Sequence, residues 1–254
     1  MPPVTHEPDS PGQVLAFSGL LEREPHEPLG FRLLRHAFSL VPPVRVAGRA
    51  LRVCYVPTAM GDHPDAVAAT RASYGRHAPD VELSVLTLFP QPSHVDVAAH
   101  LLAQDVVHVE GGSVVNLVAV WRAHGLPDVL RRCWEGGAVL TGASAGSLCW
   151  HLGGPTDSYG DALDPFTDGL GLLPFANGVH DDLAYQPRYD VLRRLVADGT
   201  LPTAYATQDG VGLHYVGTRL HEVVTLRPRS SAFRVEPDGA GGWREERLPA
   251  RVLG

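Results

Sequence analysis

The pentapeptide Gly142-Ala143-Ser144-Ala145-Gly146 has the clearest chemical reading in this sequence. Small residues on both sides of a serine let the chain turn sharply between a strand and a helix and hold the hydroxyl at a strained, exposed tip, as in a Gly-x-Ser-x-Gly nucleophile elbow. Such a hydroxyl attacks a carbonyl only when a base takes its proton, and that base needs a carboxylate to fix its tautomer and stabilise its cation. His180, which follows a long Gly-, Pro- and Asp-rich stretch, is the expected base. The expected acid is Asp157, because the hydroxyl residues beside it in Thr156-Asp157-Ser158 could orient it; Asp161 is the alternative, while Asp164 and Asp168 read as turn or capping residues. The chain order is then Ser, Asp, His. A tetrahedral intermediate also needs two donors for its oxyanion, and the amides of Ala145 and of Gly112 in Gly111-Gly112 are the candidates. A plain strand-to-helix turn is the alternative reading of the two glycines.

Short apolar runs alternate with longer amphipathic stretches, the pattern of a parallel sheet covered by helices. Strands are expected at Gln13–Ser18, Leu51–Pro57, Val81–Leu88, Val106–Val109 and Ala138–Gly142. Helices are expected at Phe31–Leu40, Pro64–His77, Val95–Ala103, Val114–Ala123, Ser147–Leu152 and Arg188–Asp198. The elbow thus has a strand before it and a helix after it. Residues 153–178 read as one long functional loop. Strands at Thr203–Ala206, Gly212–Tyr215, Glu222–Leu226 and Ala232–Val235 are expected to finish the domain, the last ones as an antiparallel edge. This organisation reads as one α/β domain over residues 13–254 behind a flexible segment, residues 1–12.

Composition narrows the partners. Of 254 residues, 44% are hydrophobic and 19% charged, which is ordinary globular usage. A net charge of −7 with only 21 Lys and Arg argues against a nucleic-acid or anionic-membrane surface and for a small substrate. Three widely spaced cysteines, Cys54, Cys133 and Cys149, fit neither a disulfide framework nor a zinc-binding Cys-x-x-Cys pair. No signal peptide or membrane-length apolar run is evident, so a cytoplasmic location is expected.

In these motifs the sequence resembles the peptidase E family, serine exopeptidases that include aspartyl dipeptidase and, more distantly, cyanophycinase. Gly111-Gly112-Ser113 with Asn116-Leu117 is similar to that family's Gly-Gly-Asn-Thr segment, Gly142–Gly146 to its Ser-Ala-Gly elbow, and Asp168–Pro174 to its loop before the catalytic histidine. The resemblance spans roughly residues 13–236. It implies a doubly wound, mostly parallel sheet with helices on both faces, a flavodoxin-like three-layer sandwich like that of class I glutamine amidotransferases. It further implies a Ser-His-Asp/Glu triad, no metal or other cofactor, and cleavage of small peptides near a free amino terminus. Ser144, His180 and Asp157 inherit the catalytic roles, and a homodimer is expected. Gly111, Ser113 and Arg188 are expected to contact substrate, with Arg188 near the position of an arginine that binds an acidic side chain in aspartyl dipeptidase. Asp209, in Gln208-Asp209-Gly210, matches an acidic position before a late strand and is expected either to support the site or to serve as a turn residue. Ser113 and Asn177-Gly178-Val179 depart from the family pattern and bear on substrate choice.

Three other readings stand beside this one. A glutamine amidotransferase would need a cysteine at the elbow, where this chain has Ser144. A metalloenzyme would need a His-x-x-x-His or His/Cys cluster, and none appears at ligand spacing. A non-catalytic member of the fold, or a different acyl-hydrolase or amidase, is the remaining alternative.

Overall fold

The computed structural model describes residues 11–19 and 29–254. The expected flexible segment, residues 1–12, therefore lies outside the described residues except for Pro11 and Gly12. In chain order the first half comprises β1 Gln13–Phe17, α1 Leu29–Ser39, β2 Leu51–Val56, α2 Pro64–His77, β3 Val81–Val85, α3 Val97–Leu102, β4 Val106–Val109, α4 Val114–Ala123, α5 Leu126–Glu135 and β5 Val139–Ala143. The second half comprises α6 Ala145–Leu148, β6 Gly154–Thr156, β7 Asp164–Phe166, β8 Ala176–Gly178, α7 Arg188–Ala197, β9 Ala204–Thr207, β10 Val211–Val216, β11 Arg219–Thr225, β12 Ala232–Pro237, β13 Trp243–Leu248 and β14 Ala250–Val252.

Eight strands form the main sheet in the order β14-β11-β10-β1-β5-β4-β2-β3. The run β1-β5-β4-β2-β3 is parallel, and β10 joins β1 antiparallel. Side chains alternate across this sheet with the period of two that a strand imposes. Val14, Ala16, Cys54, Val56, Val107, Val109 and Leu140 pack with α4, α5 and α6 on one face. Leu15, Phe17, Val53, Val106 and Val139 pack with α1 and α2 on the other. Both faces are therefore dry, which is why the strands read as continuous apolar runs rather than alternating ones. The doubly wound, three-layer α/β fold expected from the sequence is the fold observed.

Several elements differ from expectation. Residues 124–137, to which the sequence reading assigns no element, hold α5, whose buried Leu126, Val129, Leu130, Cys133 and Trp134 recur at helical spacing. The stretch 153–178 is not one loop: β6 and β7 form a hairpin, and β8 pairs in parallel with β9. Nor do all the late strands extend the main sheet. Of the four expected late strands, β10 and β11 do, joined at the edge by β14, whereas β9 and β12 pair with β8 and β13 in a second sheet of order β13-β12-β9-β8. That sheet covers a core of its own, Ala176, Val191, Leu192, Leu195, Val196, Ala204, Ala206 and Val235, beneath α7. Among the described residues no helix is long and apolar enough to cross a membrane.

Candidate active site

Three adjacent parallel strands end side by side. Phe17 of β1 lies opposite Ala143 of β5, and Val109 of β4 lies opposite Gly142. Ser144 follows β5 directly and takes φ 52°, ψ −110°, a conformation an L residue holds only when its surroundings enforce it. The enforcement is local: the Ser144 amide donates to the Phe17 carbonyl at 2.9 Å, and the Ser144 carbonyl accepts the amides of Ser147 and Leu148, each at 2.9 Å. Both flanking glycines are steric requirements. A Cβ on Gly142 would lie 2.3 Å from the Gly146 carbonyl oxygen, and one on Gly146 would lie 2.4 Å from that of Val109. The following helix, α6, starts earlier and is shorter than the expected Ser147–Leu152.

His180 reaches the elbow from the connection after β8. Its Nε2 stands 3.0 Å from Ser144 Oγ, and its Nδ1 stands 2.5 Å from Asp209 Oδ1. His180 also has positive φ, 56°, and its backbone is pinned from the main sheet. Ser18, just past β1, accepts the His180 amide on Oγ at 2.9 Å and donates to the Thr207 carbonyl at 2.8 Å. The two acids after His180 support the same corner. Asp181 takes both Nη atoms of the buried Arg193, at 2.5 and 3.0 Å, and Asp182 Oδ1 accepts the Asp209 amide at 2.9 Å. His180 and Asp209 are both buried.

The carboxylate on the histidine is thus Asp209, not Asp157, and the chain order is Ser, His, Asp. Asp157 instead accepts from Arg188 Nη2 and Gln186 Nε2, each at 3.0 Å. The neighbouring hydroxyls do not orient it: Thr156 Oγ1 and Ser158 Oγ bond one another at 2.8 Å, and Ser158 Oγ accepts the Val114 amide. Partial burial would raise the Asp157 carboxyl, but the Gln186 hydrogen bond and the Arg188 charge outweigh it and hold the group below its ordinary range. Asp161 sits in an exposed bend, and Asp168 pairs with Arg122. Asp209 occupies the short turn from β9 to β10, and from that turn its carboxylate meets His180.

At the end of β4, Gly112 has φ 135°, and a Cβ there would lie 2.3 Å from the Ala59 carbonyl oxygen. Gly111 comes so near the elbow that its Cβ would lie 3.3 Å from that of Ser144. The Gly111 amide is taken by Glu110 Oε1 at 3.1 Å, and Glu110 is held by the Tyr55 hydroxyl at 3.0 Å. Neither Gly112 nor Ala145 has a backbone acceptor for its amide among the described residues. Ser113 Oγ caps α4 by accepting the Asn116 amide at 3.2 Å. Gly112, Ser113 and Ser144 open onto a cavity of about 450 Å³. Asn116, His180, Asp157, Ser158, Leu183, Tyr185, Gln186 and Arg188 line it with them. Arg188 is 6% exposed, far from an ordinary helix-surface arginine, with Nε on Gln186 Oε1 at 2.7 Å.

The model of Peptidase family S51 matches residues 40–223. The chain belongs to this family. This S51 peptidase is 34% identical over 186 residues to the uncharacterized peptidase YgaJ of Bacillus subtilis (strain 168), a match covering 72% of this chain and 77% of that one. Its fold is similar to that of a peptidase from an acI-B1 Actinobacterium, with TM-score 0.70 at 17% identity over 96% of both chains. It is also similar to a candidate peptidase E protein from Listeria monocytogenes EGD-e, with TM-score 0.59 at 15% identity over 86% of this chain and all of that one.

The thiols of this S51 peptidase stand apart from the site chemistry. All three cysteines are buried and unpaired, and burial raises Cys54 to about 12, Cys133 to about 11 and Cys149 well above its ordinary value. Cys149 caps the end of α6 as a small apolar group, its Sγ directed at the Gly146 carbonyl. Among the described residues, the one group of three His, Cys, Asp or Glu side chains close enough to share a metal ion is His36, His214 and Glu222. None of the three lines the cavity.

Proposed function

We propose that this S51 peptidase is a serine exopeptidase that removes residues from peptides with a free amino terminus through an acyl-enzyme. The observation that carries this reading is the imidazole of His180 bridging Ser144 Oγ at 3.0 Å and Asp209 at 2.5 Å. Asp209 accepts the Nδ1 proton, so Nε2 presents a lone pair to the serine hydroxyl. As Ser144 Oγ attacks the scissile carbonyl, His180 takes its proton and the amides of Gly112 and Ala145 receive the oxyanion. His180 then protonates the leaving amine, and water releases the acyl group by the same path.

Asp157 supplies a reason for amino-terminal selectivity. It is an ionised carboxylate in the same cavity, held in place by Arg188 and Gln186, and fits the α-ammonium of a short peptide. Arg188 then acts chiefly on Asp157. Because its charge is already met, selectivity for an amino-terminal Asp is expected to be modest. Ser113 shapes the cavity wall by capping α4, and Gly111 acts from behind it by allowing close approach to Ser144.

The deciding assay compares dipeptides and tripeptides, free and amino-acetylated, with wild type and Ser144→Ala. The reading expects cleavage of free peptides, strong loss on acetylation, and loss of turnover in the variant. Cleavage that survives in Ser144→Ala would refute the serine mechanism. Labelling of Ser144 by a fluorophosphonate without cleavage of any peptide would redirect the site to another acyl or amide substrate. A mass of twice the chain in light scattering is the result expected if the family resemblance extends to a homodimer.

A further inference from the structure

A second constellation lies under α1. Along β10, Val211, Leu213 and Tyr215 enter the core below α4, α5 and α6, while Gly212 and His214 turn to the face covered by α1. His214 is 4% exposed and lies directly opposite Glu222 on β11. His36 of α1 meets it edge to face, with ring centroids 6.2 Å apart.

Hydrogen bonds fix the protons here. Gln13 Nε2 donates to the Leu40 carbonyl at 2.9 Å, which leaves Gln13 Oε1 as the acceptor for His214 Nε2–H, also at 2.9 Å. The Nδ1 of neutral His214 therefore carries a lone pair. Among the described residues no donor reaches this buried atom, and His36 Nε2 is likewise without a hydrogen-bond partner. Both face Glu222 Oε1, at 3.7 and 3.6 Å, and the three atoms lie within 4.8 Å of one another. Glu222 is itself oriented by Arg251, with Nε on Oε2 and Nη2 on Oε1, each at 2.9 Å.

The geometry points to a site for one divalent transition-metal ion of the zinc class, bound by His36 Nε2, His214 Nδ1 and Glu222 Oε1, that fastens α1 to the β10–β11 hairpin. Two imidazoles and a carboxylate are a donor set that Zn²⁺ favours, with water completing a tetrahedron. Ligands ~2.0 Å from such an ion stand roughly 3.3 Å apart, so the carboxylate contacts need close by only a few tenths of an ångström. Gln13 and Arg251 supply the outer hydrogen bonds that ligating imidazoles and carboxylates usually have. Burial favours the neutral imidazoles such binding requires: it lowers His214 to about 4 and lowers His36 as well. The ligands lie far apart in sequence, so spacing alone gives no sign of them.

The test uses the full chain stripped by chelator and titrated with Co²⁺, then Zn²⁺. Wild type should develop the visible bands of tetrahedral cobalt at one equivalent, lose them to Zn²⁺, and show a Zn²⁺-dependent rise in Tm. His214→Gln and His36→Ala should lose both responses while remaining folded by circular dichroism, and Gln13→Leu should weaken binding ~10- to 100-fold. Absence of cobalt bands in folded wild type, or equal binding by the His36→Ala/His214→Gln double variant, would overturn the proposal and leave a His36–Glu222 ion pair in its place.

Discussion

The two halves of the candidate site are built in different ways. Ser144 and its flanking turn are fixed by contacts among residues 142–148 and the adjacent ends of β1 and β4, where glycine hydrogens meet carbonyl oxygens. His180 and Asp209 are carried by chain outside the parallel sheet, one after β8 and the other between β9 and β10. They reach Ser144 because Ser18 and Thr207 join the two sheets through a buried hydroxyl. Ser144 is set by local sterics. Its partners are set by how one sheet sits on another.

The sharpest way to break this comparison is to exchange the roles of the two acids. Asp209→Asn should lower kcat by roughly 10³- to 10⁴-fold, because the histidine loses the acceptor that fixes its tautomer. Asp157→Asn should leave kcat within about tenfold and act on KM, as expected for a group that binds rather than orients. Equal kcat losses in the two variants would sink the assignment of Asp209.

The local half is tested by Gly146→Ala, which drives a methyl group against the Val109 carbonyl. It should cost about 2–4 kcal/mol, read as a clear drop in Tm. A Tm equal to wild type would mean that β4 and the elbow can separate at little cost. Ser18→Ala tests the other half: it leaves the buried His180 amide without its acceptor and should cost about 1–3 kcal/mol, with kcat falling further than that loss of stability alone requires.

The smallest effect concerns pH. Asp157 is held below its ordinary range, so it is ionised above that lowered value and its binding of an ammonium fades as pH falls through it. Removing the Arg188 charge lets the carboxyl rise. The ratio of kcat/KM for free over amino-acetylated peptide, in which the shared dependence on His180 cancels, should therefore begin to fall at higher pH in Arg188→Ala, and an unmoved ratio would detach Asp157 from substrate binding.

This contrast also explains what could be read from the sequence. The parallel core was legible because strands buried on both faces are apolar throughout and are followed by stretches of helical period. The elbow was legible because its glycines are required within five residues. Asp209 was legible as an acid in a tight turn and, through the family resemblance, as an acidic position before a late strand; a turn residue has the same local signature whether or not a histidine lies against it. Asp157 drew attention through hydroxyl neighbours that in fact bond each other, an outcome decided by Val114 and Arg188 from elsewhere in the chain. The second sheet was missed because nothing local distinguishes a strand that extends one sheet from a strand that begins another.

The Ser18–Thr207 hydroxyl bridge has a consequence for how this molecule should come apart. The sheets also share packing, because Tyr205 of β9 and Ala232 of β12 enter the core of the main sheet, while a separate cluster lies beneath α7. A slight shift of one sheet on the other, too small to empty this shared core, should already carry His180 away from Ser144. In a denaturant series turnover should therefore vanish before the far-ultraviolet signal changes, making catalysis the more sensitive gauge of how the two sheets are seated.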